Sequence, residues 1–356
     1  MKRICSSNWL FALLLTVILI LPSYSSVTFY SSNPTVSYSS LTNSKKLDYQ
    51  VMYFIKGAKY TLDVAVYNLT HPEITDSLIA AHKKGVRVRV VTDYNNWNKY
   101  CRKLVDNGIQ AVKGQSATDR HMHHKFIIRD SNAVLTGSYN FTKNGARLDK
   151  NTIAVFKYAN AMAELYTREF EQMFVGKKFG TYKTYMSARS GKRVTIGSKT
   201  KFDVTVYFSP EGGITDALVR EIDKADTNIY FSMYTFTDKS ISDAMLRAKS
   251  RGVKIYGAFD RDQNDNSSYS KFQTLKDARC YVRLDKLSAA YGGLLHDKTM
   301  VIDNGYTSDA IGIIGSFNFT NQADSINDEN MVIIHRPTSA RSLKTHVYNA
   351  YSKMSE

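Results

Sequence analysis

Cysteine is scarce in this chain, with three in 356 residues. Cys5 lies in an N-terminal leader, which leaves Cys101 and Cys280. Two thiols in an exported chain of this length exclude a disulfide framework as the main source of stability. A single bridge between them stays open, because sequence does not show proximity. A membrane-spanning run is also missing. The apolar stretch Trp9 to Leu21 has thirteen residues, against the roughly 20 that cross a bilayer. With Lys2 and Arg3 ahead of it and Pro22, Ser23, Tyr24 and Ser25 behind, it reads as a signal peptide over residues 1–25 that is cleaved on export. The expected location is secreted or periplasmic, with a membrane tether through an uncleaved signal anchor as the alternative.

Acidic residues are the third shortage. There are 32 against 48 Lys and Arg; removing Lys2 and Arg3 leaves 46 against 32, a net charge of +14. Such an excess favours a polyanionic partner, either nucleic acid or an anionic phospholipid surface, without choosing between them. From Val175 to Phe202 no acidic residue occurs at all. Lys177, Lys178, Lys192 and Arg193 in that stretch are candidates for binding a substrate polyanion, with a plain solvated linker as the competing reading.

What the chain does have, it has twice. His123-His124-Lys125-Phe126-Ile127-Ile128-Arg129-Asp130 leads into Gly137-Ser138-Tyr139-Asn140-Phe141-Thr142. His296-Asp297-Lys298-Thr299-Met300-Val301-Ile302-Asp303 leads into Gly315-Ser316-Phe317-Asn318-Phe319-Thr320. The shared pattern is H-x-K-x4-D followed by G-S-x-N-F-T. Upstream, Leu62 to Asp93 aligns without a gap on Ile229 to Asp260, each copy reading strand, helix, Gly stop and strand. Helices over Leu47 to Ile55 and Ile214 to Ala225 precede these units, Ala161 to Phe174 closes the first, and Ser342 to Met354 ends the chain. The β-α-β order favours parallel strands under covering helices. A period near 170 residues is a domain duplication rather than a solenoid. The expected units are residues 1–25, a first repeat over 26–160, a closing helix and basic linker over 161–202, and a second repeat over 203–356.

The motif predicts a hairpin. A short β-branched run, a polar turn and a returning apolar run follow one another. Alternation along a strand puts His123 and Lys125 on one face, and Ser138 and Asn140 together on the return. Asp130 falls on the other face and is expected to fix the backbone or pair with a base. Imidazole, ammonium, hydroxyl and amide together suit a phosphate, and two such faces supply two histidines. Cleaving a phosphodiester through a covalent intermediate needs that number: one nucleophile, and one acid for the leaving oxygen.

The doubled motif resembles the phospholipase D superfamily, whose members build a single active site from two such motifs, and the resemblance spans roughly residues 45–335. It is closest in look to the small nuclease and cardiolipin hydrolase-like branch. It implies an α/β fold of two similar halves, each a mixed β-sheet flanked by helices, packed around one shared active site. It also implies a metal-independent phosphodiesterase with no cofactor, working through a phosphohistidine. The catalytic set carried over is His123, Lys125, Asp130, Ser138 and Asn140 from the first copy, with His296, Lys298, Asp303, Ser316, Asn318 and Glu329 from the second. His123 is favoured as the nucleophile. One departure stands out: the family's Glu-Asn pair is Glu329-Asn330 in the second copy but reads Lys150-Asn151 in the first, so a cation takes the place of a carboxylate, with Asp149 one position away.

The remaining candidates are weaker. His121, His123 and His124 invite a zinc site, but no nearby Cys or Glu completes a ligand set, and no metal is expected. Tyr94, Trp97, Tyr100 and Tyr291 fall in loops that could line a cleft. The N-x-S/T strings at Asn140 and Asn318 coincide with the motif asparagines, leaving Asn68 and Asn266 as possible glycan acceptors. The expected activity is hydrolysis of nucleic-acid backbones by a monomer without a protein partner. The alternatives are phospholipase D, then phosphatidyl transfer, and, from another class, a non-catalytic binder of polyanions or membranes.

Overall fold

A computed structural model describes residues 27–32, 46–115, 120–183, 190–210, 212–285, 292–303 and 308–352. The leader and Tyr291 lie outside the described residues. Among those described, no helix is long and apolar enough to cross a membrane.

Two mixed sheets carry the chain. The first contains β1 (Val27–Ser31), β2 (Thr61–Val66), β3 (Arg87–Thr92), β4 (Gln110–Lys113), β5 (Lys125–Arg129), β6 (Ala133–Gly137) and β7 (Thr152–Phe156) in the order β1-β7-β6-β5-β2-β3-β4. The second contains β8 (Lys192–Ile196), β9 (Phe202–Ser209), β10 (Asn228–Met233), β11 (Lys254–Phe259), β12 (Tyr281–Leu284), β13 (Lys298–Ile302), β14 (Ile311–Gly315) and β15 (Glu329–His335) in the order β12-β11-β10-β13-β14-β15-β9-β8. In each sheet the β-α-β unit supplies parallel strands, β2 to β4 and β10 to β12, while the motif hairpins β5-β6 and β13-β14 run antiparallel. The basic stretch therefore ends in a strand of the second sheet rather than in a linker.

Amphipathic helices explain the layering. Helices Leu47–Lys56 and Pro72–Lys83 bury Leu47, Val51, Ile74 and Leu78 against the outer face of the first sheet. Helices Ile214–Asp223 and Lys239–Ser250 do the same with Leu218, Ile222, Ile241 and Met245 on the second. The core between the sheets is common property: Phe126, Phe156, Tyr166 and Phe170 from the first half pack with Phe208, Val332 and Leu343 from the second. The closing helix, Asn160–Phe174, and the last helix, Pro337–Ser352, both contribute to it.

A buried charge cluster fastens this shared core. Lys183, its side chain wholly buried, pairs with Glu169 of the closing helix and with Asp328 of the second half at 3.0 Å, and donates to the Ser209 carbonyl at 2.8 Å. Glu169 also accepts from His124 Nε2 at 2.9 Å. Removing one member of a buried ion pair strands the rest at a cost of about 3–5 kcal/mol. Lys183→Met is therefore expected to lower unfolding free energy by about that amount in a urea titration, and adding Glu169→Gln to recover part of the loss. Additive losses in the double variant would show that the cluster is not one unit.

Candidate active site

The functional side chains gather where the parallel strands end at their carboxyl termini and the hairpin strands β5 and β13 begin. Lys125 and Lys298 open those strands facing Val66 and Met233, the last residues of β2 and β10. Each ammonium is buried, donates to the carbonyl two residues back (His123 O at 2.6 Å, His296 O at 2.9 Å), and lies over a tyrosine ring, Tyr67 at 5.0 Å and Tyr234 at 4.7 Å. The same tyrosines pack their rings on the histidines, with centroids 4.8 Å apart for Tyr67 and His123 and 4.7 Å for Tyr234 and His296.

The rest of the motif is structural in origin. Gly137 and Gly315 admit no side chain, since a Cβ would meet the Thr152 or Asn330 carbonyl oxygen at 2.2 or 2.1 Å. Thr142 and Thr320 cap the short helices Lys143–Arg147 and Asn321–Ser325 by accepting from Gly145 N and Ala323 N. Asp130 and Asp303, counted with the catalytic set in the sequence, are not part of the cluster. They sit in left-handed conformations at the far ends of β5 and β13, with φ of 51° and 60°. Asp130 accepts from Lys59 N, Tyr60 N and Thr61 N, and Asp303 from Asp226 N and Thr227 N, so both brace the backbone.

The two halves complete each other. His123 Nδ1 bonds Glu329 Oε1 at 2.7 Å, and His296 Nδ1 bonds Asn151 Oδ1 at 3.0 Å. Each histidine is thus oriented from the opposite half, with Nε2 left for chemistry. Matching bridges join Met122 to Asp328 and Lys150 to Leu295. Ser138 donates to Asn151 Oδ1 at 2.9 Å and receives Thr152 N at 3.1 Å, as Ser316 receives Asn330 N at 3.1 Å. In this frame Asn151, not Lys150, occupies the position of Glu329. The sequence-based expectation of a cation there is corrected: the carboxylate is replaced by a neutral amide. Lys150 turns instead toward Asp297, at 3.6 Å, and Asp149 accepts from Leu294 N at 3.1 Å rather than supporting a histidine.

Burial governs the charges. His123 and His296 are 9% and 7% exposed. Burial holds the His123 imidazole well below its ordinary range, and the nearby ammonium groups of Lys125 and Lys298 push the same way. His296 is held low by burial and then by Lys298 and Lys125. The cross-half action of each lysine on the opposite histidine marks one shared site. Burial pushes Glu329 up to about 7, against the pull of Lys125 and of the Ser316 hydroxyl, and brings Lys298 down to about 7. The side-chain oxygens of Asn140 and Asn318 are buried without a partner in both copies, as acceptors awaiting a donor.

Several contributors escape a motif reading. Asp93 and Asp260 hold the residues just before the histidines, accepting from Met122 N at 3.0 Å and Leu295 N at 2.8 Å. The gap-free alignment of the repeats already pairs them, and pairs Tyr67 with Tyr234. His124 turns away from His123, bonding Glu169 and, through Nδ1, the Asn330 amide at 3.2 Å, so the three neighbouring histidines do not converge on one point. The expected basic strip is also redistributed. Lys177 folds back on the carbonyl and ring of Phe174, Arg193 pairs with Asp203 at 2.8 Å, and Lys178 and Lys192 stand exposed. Among the described residues no hydrogen bond or ion pair ties any of these four to a motif side chain. Tyr94 lies in a short 3-10 turn, Trp97 follows it, and Tyr100 is in the helix Lys99–Asp106.

Two largely buried histidines with free Nε2 atoms, backed by two lysines, make a centre suited to displacement at a phosphodiester. The comparisons with known proteins agree. A family model described as "Cardiolipin synthase, PLD-like domain" matches residues 51–174 and again 218–350. A protein named phospholipase D from Rickettsia conorii is 35% identical over 157 residues, which is 44% of this chain and 74% of the relative. A mitochondrial cardiolipin hydrolase of Chlamydomonas reinhardtii is 32% identical over 41% of this chain and 60% of its own length. Among solved structures, phosphatidylserine synthase of Haemophilus influenzae shares the fold at a TM-score of 0.67, with 11% identity over 93% of this chain and 89% of that one. The chain belongs to the phospholipase D superfamily and is a phosphodiester hydrolase of that group.

The placement of Asp130 yields a test. Asp130→Ala is expected to lower stability by about 1–3 kcal/mol in urea, because three backbone donors lose their acceptor. Turnover of a small diester by the folded fraction should stay within about twofold. A loss of turnover comparable to that of a histidine variant would return Asp130 to the catalytic set.

Proposed function

We propose that this protein is an exported hydrolase of nucleic-acid backbones that works as a monomer through a phosphohistidine on His123. The observation that carries the assignment of roles is the unequal support of the two imidazoles: a carboxylate, Glu329, behind His123 and an amide, Asn151, behind His296. When His123 Nε2 attacks phosphorus, the P–O bond to the leaving group breaks and the ring, still protonated at Nδ1, becomes cationic. Glu329 stabilises that cation. An amide cannot do so to the same degree, which leaves a protonated His296 the stronger acid, suited to giving its Nε2 proton to the departing oxygen. Neutral His296 then takes a proton from water, the hydroxide displaces the phosphate from Nε2 of His123, and both rings return to their starting states. Lys125 and Lys298 offset the charge on the non-bridging oxygens throughout.

The pH dependence follows from this assignment. His296 must carry a proton on substrate binding, and burial with two ammonium groups holds its pKa low, so kcat/KM should decline as pH rises through that depressed value. Asn151→Glu places an anion beside His296, favours its protonated form, and should move the alkaline limb upward by about one to three pH units. An unmoved limb would refute the acid role of His296. Glu329→Gln should lower kcat by roughly a hundredfold or more, with little change in KM.

Nucleic acid as substrate is supported by the net charge of +14 after leader removal (46 basic against 32 acidic). Export is supported by the charged and apolar leader. A second reading, phospholipase D, is favoured by the names of the relatives from Rickettsia and Chlamydomonas. Excess chelator, labelled single-stranded DNA and phospholipid vesicles offered in parallel separate the two, with His296→Ala as control. DNA cutting that the variant lacks is the expected outcome; head-group release with intact DNA would establish the lipase instead.

A further inference from the structure

At the opposite end of the first sheet from the histidines lies a second concavity, of about 790 Å³. It forms because helix Leu47–Lys56 buries one face in the core and turns Tyr49 and Tyr53 outward, four residues apart on the same side. Their rings stack with centroids 6.4 Å apart and an interplanar angle of 13°, and they are 36% and 61% exposed. Around them stand Lys56, Lys59, Lys84 and Lys157, all exposed, and Arg129 lies in the wall, donating to the Phe54 carbonyl at 3.1 Å. Among the described residues no Asp or Glu lines the groove. Five cations and two stacked aromatic rings with no carboxylate in the lining itself, the Asp130 carboxylate at the edge being taken up by backbone amides, suit an anion with stacking surfaces, the combination that holds unpaired bases and their phosphates.

Charge narrows the choice of occupant. Residues 1–26 and 33–45 of this chain contain no acidic residue, so neither supplies the missing charge, and a second copy is itself strongly basic. Geometry argues against a bilayer. The groove sits beyond Arg129 and Lys157, while His123 precedes Lys125, and Asn151, which bonds His296, precedes Thr152, at the other ends of the same strands, roughly 13 Å of strand away. Docking a membrane here would turn the catalytic cleft away from the lipid. A flexible polymer can reach both ends.

We propose that this groove is a second nucleic-acid site, holding a single strand with its phosphates along Lys56, Lys59, Lys84 and Lys157 and its bases against Tyr49 and Tyr53. The proposal rests on the nucleic-acid reading of the active site. Its test uses the mature chain with Lys56→Glu and Lys84→Glu combined, and Tyr53→Ala separately, against a fluorescent oligodeoxythymidylate, anionic phospholipid vesicles and the small diester bis(p-nitrophenyl) phosphate. Binding is measured in the His296→Ala background. The expected result is unchanged diester turnover with oligonucleotide affinity down about tenfold or more, and a salt dependence shallower by about 0.7 for each phosphate no longer neutralised. If the unaltered protein cuts DNA and both variants bind and cut it equally well, the groove is not a site for the strand. If the unaltered protein turns over the diester but neither binds nor cuts DNA, the nucleic-acid reading falls and takes the groove with it. Loss of vesicle binding in place of oligonucleotide binding would assign the groove to lipid. Should the charge reversal impair diester turnover, Tyr53→Ala alone decides.

Discussion

The Nδ1 of neither motif histidine is fixed by its own half of the molecule. An imidazole needs its Nδ1 fixed to present Nε2 in one direction, and here the fixing groups, Glu329 for His123 and Asn151 for His296, come from across the interface. Everything that positions the two sheets consequently positions the chemistry. The shared core, the closing helix and the paired bridges at Met122 and Lys150 set the two imidazole directions before any substrate arrives.

The buried Lys183 cluster belongs to the same constraint. It runs from Lys183 through Glu169 to His124, from there to the Asn330 amide, and Asn330 is the neighbour of Glu329 along β15. Burial lowers the His124 pKa to about 3, so the ring stays neutral and bonds with both nitrogens. Asn330 is held further by Thr136 at 2.7 Å and Tyr166 at 3.0 Å, both from the first half. A backbone position held from so many sides cannot drift, and the carboxylate beside it inherits that rigidity.

Much of the fold is legible in the letters because duplication exposes it: the gap-free repeat yields the β-α-β units, and the motif alternation yields the hairpins. The first-half support of His296 is misread for a specific reason. Matching Lys150-Asn151 to Glu329-Asn330 by the shared asparagine slips the strand by one residue, and a one-residue slip exchanges the two faces of a strand. Counting from the motif serines avoids it, since Ser138 to Asn151 and Ser316 to Glu329 are both thirteen steps. The basic segment misleads because composition carries no depth. Lys183 and Lys177 differ little as letters, yet the first is sunk between two carboxylates and the second folds onto a helix end. The repeat pairs Asp93 with Asp260, but their role stays hidden because they act on backbone amides that no side-chain pattern reveals.

The exchange of Glu for Asn at one of two matched positions is open only to a chain that carries both copies in a single gene. In an assembly of two identical subunits every substitution lands twice, and the pair of histidines must stay equivalent until a substrate breaks the tie. Here the tie is broken in the covalent sequence. Under the mechanism proposed above, inheritance, rather than the direction of substrate approach, decides which ring takes the phosphoryl group.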